Sequence, residues 1–581
     1  MKTYQLLQLT LLVLFASCNG GGGSGSGGIG GGGGISSGSF LSGVAAIGAP
    51  IANGKLTVLG KACEVLDETN AKGEYSVALS TCEGPYLLRA EGTLGTIHSI
   101  ATSADYGKHV SITPITELIA GRVLGSANLA LLDKDHFHAT DISANSINES
   151  EAQIKSLLGP LLLSQGLANF DLLNDAFEAD GDGFDKLLDA IEVSPKTTNQ
   201  YSFRIKGSEV NVDLNMDSGG EIASDEDVNK LSDESNLEMV NTSSGVLSEI
   251  RARLTELNTK LAMEKSEEKN ALVAGFFTDD FLHFGKSSYQ DLFFDSWDSV
   301  IFENPVILNL DSVNGIADVW VHESHTSLFE DEVGSETIIS SDSYQMKFKK
   351  NEGVWYFHGN RIPISLDIYP KYINLNNEPF RGLSVEFYET EKYNVKISSD
   401  SLSDIVYNSG EAFKSLTDPT QKCAVSDLFC QDFINITSTS VLPTFLKLSV
   451  RVDDQPYELY VLAPKSGITK DSFAQFTNIP IEGLCGSQDI STFPLDIFFT
   501  LPSGHNLDKY GYISGQISGG LKFNPTTNSS LYKDKKISTE ILGADDQPYS
   551  GPLGIESLMV QLDSWDERGS GYYNIYSCRR N

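Results

Sequence analysis

The spacing of apolar residues is the strongest constraint on how this 581-residue chain folds. Through most of the chain, apolar residues occur in short runs bounded by Gly, Pro and Asn, which is typical of β-strands. Helical spacing is confined to residues 114–193 and to the first part of 245–375. At roughly 150 residues per domain, the length indicates three or four domains. The pattern therefore predicts a multidomain protein with an all-β sandwich, a helical segment, an α+β domain and C-terminal all-β sandwiches.

The balance of charges limits the partners of the chain. Lys and Arg number 42 and Asp and Glu number 78, so the formal net charge is −36. Because the phosphates of nucleic acids repel an acidic protein, we expect no nucleic-acid partner. Hydrophobic residues make up 40% of the chain, which is enough to build cores and argues against global disorder.

Residues 1–17 have the pattern of a signal peptide. Lys2 precedes an apolar run, Leu6 to Ala16, that is shorter than the roughly 20 residues needed to span a bilayer. An ordinary secretory signal cut near Ala16 or Ser17 fits this pattern. The run Leu14-Phe15-Ala16-Ser17-Cys18 also resembles the bacterial lipobox, in which the cysteine is acylated and becomes the first residue. That resemblance implies a lipoprotein with diacylglycerol and a fatty acid such as palmitate on Cys18.

Residues 18–39 are predicted to be a flexible tether. Between Gly20 and Gly34, 12 of the 15 residues are Gly, a composition that buries no surface. A tether of this kind suits a protein anchored by lipid. Asn19, after the cysteine, differs from the Asp that resembles an inner-membrane retention signal. The resemblance therefore implies the outer membrane, with the protein facing the periplasm or the cell surface.

The cysteines favour an oxidising compartment. Acylation of Cys18 leaves six of the seven cysteines, an even number. We expect a Cys63–Cys82 disulfide, because the two residues flank the turn at Gly73 in one small domain. Four cysteines in the last region allow three pairings, and the short separation favours Cys423–Cys430, which leaves Cys485–Cys578. Buried free thiols are the alternative.

Residues 40–113 contain three distinctive segments: Ser42-Gly43-Val44, Gly48-Ala49-Pro50-Ile51-Ala52-Asn53-Gly54 and Thr69-Asn70-Ala71-Lys72-Gly73-Glu74-Tyr75. Together they resemble the carboxypeptidase regulatory-like, transthyretin-like β-sandwich. The resemblance implies a structural or adhesive module with a glycine turn.

Residues 114–193 are predicted to be helical, starting at Thr113-Pro114. An acidic segment in this region has partial calcium-loop spacing, with ligand positions 1, 3, 5 and 12 filled by Glu178, Asp180, Asp182 and Asp189. The alternative is an acidic helix amino terminus that is stabilised by the helix dipole. A structural calcium ion is the only cofactor that the sequence suggests. Residues 194–244 are predicted to be a hairpin around Lys206-Gly207-Ser208, followed by an acidic, solvated linker.

Residues 245–375 have helical spacing first and strands afterwards, which predicts an α+β layout. This order resembles the nuclear transport factor two-like cone fold, on the segments Phe277–Gly285, Gly315–Val319 and Asn351–Asn360. The resemblance implies a cone-shaped cavity, and Tyr289, Trp297 and Trp320 are candidates to line it. His322 and His325 fall three apart on a predicted strand, so they point to opposite faces and do not share a metal.

Residues 376–581 read as one or two immunoglobulin-like β-sandwiches, and we find no catalytic motif in them. The sequence thus predicts no catalytic residues and no enzyme. We expect a lipid-anchored envelope protein that scaffolds or binds a protein or glycan. The alternative is an enzyme or small-ligand carrier that uses the cone cavity. An open cavity with inward His, Asp or Glu would favour that alternative, whereas a cone filled by its own aromatic residues would exclude it.

Replacing Cys18 with Ser is expected to abolish membrane association. The variant lacks the thiol that carries the lipid, and the short apolar run alone does not anchor a chain. Detergent-phase partitioning of cell fractions measures the effect. A Cys18→Ser protein that still partitions with the detergent phase would show that the anchor is not at this residue.

Overall fold

In the computed structural model, the described strands form seven separate β-sheets. The structure describes residues 39–133, 135–137, 142–264, 266–291, 299–331, 334–375, 378–387, 393–399, 406–408, 433–436, 442–465, 468, 470–476, 495–502, 505–517, 522–525, 536–542, 555–566 and 570–579. The predicted signal peptide, Cys18 and all of the predicted tether except residue 39 lie outside these ranges. Ser39–Asn581 form one compact unit. The predicted multidomain, strand-rich architecture is confirmed at this level.

The amino-terminal region has two antiparallel sheets with a shared core. Its strands are β1 (Phe40–Val44), β2 (Lys55–Gly60), β3 (Cys63–Glu68), β4 (Glu74–Ala78), β5 (Tyr86–Gly92) and β6 (Gly95–Ala101). One sheet pairs β1 with β4, and the other has the order β3-β2-β5-β6. The predicted Cys63–Cys82 disulfide is present, with its Cα atoms 5.6 Å apart. Gly73 has a φ of +75° at the predicted turn, a conformation that favours glycine.

Three helices follow: α1 (Pro114–Leu124), α2 (Ala144–Ser164) and α3 (Gly183–Ala190). As predicted, α1 starts at Thr113-Pro114, and the Thr113 hydroxyl accepts a hydrogen bond from the Thr116 N–H at 3.1 Å. The helix ends at Gly125 in the left-handed conformation. Apolar residues spaced three and four apart on α2, from Leu157 to Leu162, are buried in the core of this region.

The next region departs from the prediction in two places. A three-stranded sheet contains β7 (Ile191–Thr197), β8 (Gln200–Ile205) and β9 (Asn211–Asn215). The predicted hairpin is therefore present as β8 and β9. Ile191, which we predicted to be helical, is instead the first residue of β7. The predicted solvated linker is instead helical, in α4 (Asp225–Leu231) and α5 (Glu234–Leu261). Side chains of Ser224 and Asp233 cap these helices, and acidic residues in their first turns suit the helix dipole.

The predicted α+β layout is present. It combines α5 and α6 (Glu267–Ala274) with β10 (Ser299–Asp311), β11 (Ile316–Asp331), β12 (Gly334–Asn351) and β13 (Val354–Phe357). These strands form one antiparallel sheet in sequence order. The apolar stripe of α5 from Leu247 to Leu261 packs on the sheet through residues such as Val319 and Met346. The apolar spacing around Phe276 and Tyr289 in the first part of this region is also typical of helices. Phe276 instead follows α6, and Tyr289 lies in a single turn of 3₁₀-helix.

The remaining strands are β14 (Leu366–Leu375), β15 (Glu378–Phe387), β16 (Val395–Ser398), β17 (Val406–Asn408), β18 (Phe433–Asn435), β19 (Phe445–Val452), β20 (Gln455–Leu462), β21 (Gln475–Phe476), β22 (Leu495–Thr500), β23 (His505–Ile517), β24 (Lys522–Pro525), β25 (Lys536–Leu542), β26 (Ile555–Asp566) and β27 (Gly571–Arg579). They form sheets of order β18-β15-β14-β27-β26-β23, β17-β16-β19-β20 and β21-β22-β25-β24. Since β14 pairs in parallel with β27, the last region begins at Leu366, ten residues before the predicted boundary of 376.

Two of the predicted disulfides stay predictions. Cys423, Cys430 and Cys485 lie outside the described residues. Cys578 lies in β27, but its side chain is not described. Among the described helices, none is both long enough and apolar enough to cross a membrane.

Replacing both Cys63 and Cys82 with Ser is expected to lower the free energy of unfolding of the amino-terminal sandwich by about 3 kcal/mol, because the unfolded chain regains the freedom of a loop. The sequence separation between the two cysteines is 19. Urea unfolding, followed by hydrogen exchange of β2 and β5 peptides, measures the change. Equal protection in the wild type and the double variant would contradict a stabilising role.

Candidate ligand-binding cavity

Aromatic residues fill the interior between α5 and the sheet β10–β13. The Phe357 ring lies 4.5 Å from Phe348, 5.0 Å from Phe277 and 5.8 Å from Phe302, measured between ring centroids. All four side chains are buried. This aromatic plug closes the centre of the α+β domain, so any open space lies beyond it.

A cavity of about 280 Å³ lies beyond the plug, at the edge of β12. Since β13 pairs only with Phe348–Asn351, the Asp342–Gln345 segment of β12 faces β14 and β20 instead. Polar and aromatic residues of several elements line the cavity, among them His283, Lys286, Trp320, Glu323, His325, Asp342, Tyr344, Asp367 and Tyr369. Side chains from both faces of the sheet reach it because it opens at a sheet edge.

The strand register brings two carboxylates together on one wall. Glu323 of β11 is directly opposite Asp342 of β12. The Glu323 side chain is almost fully buried, and its carboxylate accepts a hydrogen bond from the Tyr344 hydroxyl. The Nδ1 atom of His325 lies 3.1 Å from Glu323 Oε1. Like charges directly opposite each other on a sheet are destabilising, so this wall is costly for the fold unless something compensates the charge.

The environment of the cavity shifts the pKa values of its residues. Asp342 lies exposed at the cavity edge, but the protein around it displaces part of the water from its carboxyl. This loss of water, together with the nearby charges of Asp367 and Glu323, raises the pKa of Asp342 to about 7. Burial, helped by the nearby Lys286 charge, lowers the pKa of His283 to about 3, so this imidazole is neutral at pH 7. Burial also raises the pKa of Tyr344 far above its ordinary value, which keeps its hydroxyl protonated as a donor.

Of the three predicted cavity residues, the structure describes Tyr289 and Trp320 and places them differently. Trp320 is 3% exposed and lines the cavity. Tyr289 does not line it; its ring stacks on Phe277 at 5.1 Å and its hydroxyl donates to the Asn270 carbonyl. Trp297 lies outside the described residues. The separation of His322 and His325 is confirmed, since His322 pairs with the Ser343 hydroxyl at 2.7 Å whereas His325 lies beside Glu323.

The acidic segment predicted to bind calcium flanks α3. Asp189 is buried, and both its carboxylate oxygens accept hydrogen bonds at 3.0 Å from Arg251 of α5. Asp180 accepts from the Asp182 N–H at 3.0 Å, next to the start of the helix. Glu178 is exposed in the preceding loop. Among the described residues, no group of three or more His, Cys, Asp or Glu side chains is arranged to hold a metal ion. The calcium site stays a prediction.

Sequence reasoning did not single out Asp342 or Asp367 as residues of the cavity. Asp342 and Tyr344 follow the same two-residue spacing on β12 as Met346 and Phe348, which places all four side chains on the face that carries the buried core. A carboxylate that continues a core face is a recognisable signal. Asp367 was missed because it follows the α+β sequence pattern and belongs to a strand of the next sheet.

No protein-family model matches this chain, and no curated protein matches it at a significant level. The resemblances to the transthyretin-like, cone and immunoglobulin-like folds therefore stay resemblances. Since a fold hosts many functions, the function has to be argued from the residues of the cavity.

Replacing Asp342 with Asn is expected to stabilise the protein at pH 8 and to have little effect at pH 4. The pKa of about 7 in the folded state lies above the ordinary Asp value, so the folded state holds this proton more tightly. The carboxyl therefore costs stability progressively as the pH rises from about 4 to 7, and Asn removes that cost. We expect a gain on the order of 1 kcal/mol, reduced by solvent screening at the cavity mouth.

Thermal unfolding midpoints across this pH range measure the difference. Asp67→Asn, at an exposed site on β3, is the matched control and should show no such trend. A difference between Asp342→Asn and wild type that does not change with pH would contradict the raised pKa.

Proposed function

We propose that this protein is a lipid-anchored protein of the cell envelope that binds a small molecule without catalysis. The binding site is not the centre of the α+β domain, which the aromatic plug fills, but the cavity that the edge of β12 forms with β14 and β20. The cavity is the observation that carries the proposal. Its volume of about 280 Å³ is close to that of pockets that hold small ligands. Its aromatic and polar lining suits recognition, because a few placed polar groups in an apolar pocket give specificity. The lipobox-like run supports the anchor, and the glycine tether supports reach from the membrane.

The surrounding β regions hold the cavity wall in place. The Tyr460 N–H of β20 donates to the Gln345 side-chain oxygen of β12 at 2.8 Å. On the same side of the sheet, the Trp320 ring lies 5.2 Å from Phe445 of β19. These contacts join the α+β domain to the following sheets, so the wall is held by two regions of the chain. The sandwich-like regions are proposed to act as the scaffold and to meet any protein or glycan partner.

Acid–base catalysis in the same cavity is a second candidate. The Asp342 pKa of about 7 suits a general acid or base near neutral pH, and Glu323 lies opposite it with a different environment. Pairs of carboxyl groups in different environments often divide the acid and base roles. Chemical change of a captured ligand on incubation with the protein, absent with Asp342→Asn, would favour this candidate over binding alone.

Blocking the cavity with a bulky side chain tests the binding proposal. Ser365 lines the cavity and is exposed, so a Trp at this position is expected to fill space without disturbing a core. The full chain, purified in detergent, is incubated with a small-molecule extract, washed and examined by mass spectrometry. We expect captured molecules with wild type and at least a tenfold loss with Ser365→Trp.

Ser76→Trp is the matched control, because Ser76 is an exposed strand residue of the amino-terminal sandwich. It should capture as much as wild type. Equal capture by the wild type and Ser365→Trp would show that the cavity is not the binding site and would defeat the proposal.

A further inference from the structure

We propose that the ligand is a small protonated amine that also carries a hydrogen-bond acceptor. This inference rests on the proposed function, since it names the class of molecule that enters the same cavity. Three features of the wall support it: the sign of its charges, its aromatic rings and one buried donor without a partner.

Negative charge dominates the cavity wall. Carboxylates come from three strands: Glu323 on β11, Asp342 on β12 and Asp367 on β14. Lys286 is the cationic side chain among the lining residues, and His283 is neutral because burial lowers its pKa. The directly opposed Glu323 and Asp342 are unfavourable as a pair of anions. A bound cation would turn that cost into attraction, whereas a bound anion would add to it.

The aromatic content of the wall favours an organic cation. Trp320, Tyr344 and Tyr369 line the cavity with the carboxylates. Aromatic faces attract ammonium groups, and their flat surfaces also pack against the carbon skeleton of an amine. The described residues contain no cluster of acidic, His or Cys side chains arranged for a metal ion. Because the aromatic surfaces pack against carbon, an amine fits this wall better than an inorganic cation.

The buried indole N–H of Trp320 would be satisfied by a hydrogen-bond acceptor on the ligand. The Trp320 indole N–H, in a side chain that is 3% exposed, has no hydrogen-bond partner within the described part of the chain. A buried donor without a partner costs about 1–3 kcal/mol, and such groups are rare in folded proteins. Because Trp320 lines the cavity, a hydroxyl or carbonyl of the ligand can accept this hydrogen bond. A simple alkylamine lacks that group and should bind less well.

Binding of a cation should also release a proton from the wall. Asp342 faces Glu323 and Asp367, with His325, His283 and Lys286 also around the cavity. Near pH 7, Asp342 is partly protonated, so its proton offsets part of the charge in the empty cavity. A bound ammonium group would replace that proton, because a nearby positive charge favours the ionised carboxylate.

Three probes of matched ring size separate the features of the ligand. They are trans-4-aminocyclohexanol, which has both groups, cyclohexane-1,4-diol, which lacks the ammonium, and cyclohexylamine, which lacks the hydroxyl. Titration calorimetry of the full chain at pH 7, in two buffers of different ionisation enthalpy, measures affinity and proton release. We expect the aminocyclohexanol to bind with release of a fraction of a proton. The diol should bind at least tenfold more weakly, and cyclohexylamine should also bind more weakly.

Substitutions test whether the carboxylates of the cavity wall account for the affinity and for the proton release. Asp342→Asn is expected to weaken binding of the aminocyclohexanol at least tenfold and to remove the proton release. Asp367→Asn, at an exposed position, is the second variant and should also weaken binding, so the test survives if the first variant folds poorly. Asp67→Asn is the control and should bind as wild type does.

The inference is overturned if the diol binds as tightly as the aminocyclohexanol, or if both cavity variants bind normally. Saturable binding of calcium that is lost in Asp342→Asn would assign the wall to a metal ion and would also overturn it. If no probe binds while Ser365→Trp still loses captured molecules, the amine inference fails and the proposed function stands. If Ser365→Trp captures as much as wild type, the proposed function itself fails.

Discussion

Helix α5 contributes buried residues to two hydrophobic cores, and the position of the β10–β13 sheet depends on it. Its amino-terminal part buries Val240 against the helices and the β7–β9 sheet, and its later turns, from Leu247 onward, pack on β10–β13. Specific bonds fix its position on the sheet: Asn258 exchanges two hydrogen bonds with the Phe302 backbone, and Glu249 accepts from the Trp355 indole N–H. Arg251 forms an ion pair with the buried Asp189 and donates a hydrogen bond to the Gly48 carbonyl of the amino-terminal region. A helix held on so many sides sets where the sheet can lie.

The cavity follows from the length of the strands packed on this helix. Along one face of β11, the buried Val319 and Val321 are followed by Glu323 and His325. Along the same face of β12, Phe348 and Met346 are followed, toward the other end, by Tyr344 and Asp342. The apolar part of each face is covered by α5 and the phenylalanine plug. Past that cover, the face turns polar, and β14 and β20 lie close enough to enclose it.

Sequence patterns predicted the parts of the fold that depend on local spacing. The alternation in β8 and β9, the capped start of α1 and the 3-4 spacing of α5 are periodic over many residues, so their interpretation was secure. The acidic segment before Leu247 was misread, because its few apolar residues, Leu231 and Val240, find their partners in helices far away in sequence. Ile191 has helical spacing with Leu188, but pairing with Ile205 on β8 places it in a strand. Tertiary contacts decided both cases.

The cavity could be predicted only in part, for a similar reason. Aromatic residues are conspicuous candidates for a cavity lining, and this rule identifies Trp320 correctly. The same rule selects Tyr289, which instead packs against Phe277 of the plug. Glu323 and Asp342 lie opposite each other because of the register between β11 and the 18-residue strand β12. The sequence alone does not show which residues of two long strands are paired. Asp367 belongs to β14, which pairs with β15 and β27 and not with a strand of the α+β domain. Its place beside Glu323 and Asp342 therefore depends on how the two regions pack together. The residues of this site are brought together by strand register and by packing between two regions of the chain, so they form no contiguous sequence motif. Their chemistry is therefore recognised only once the strands are placed side by side.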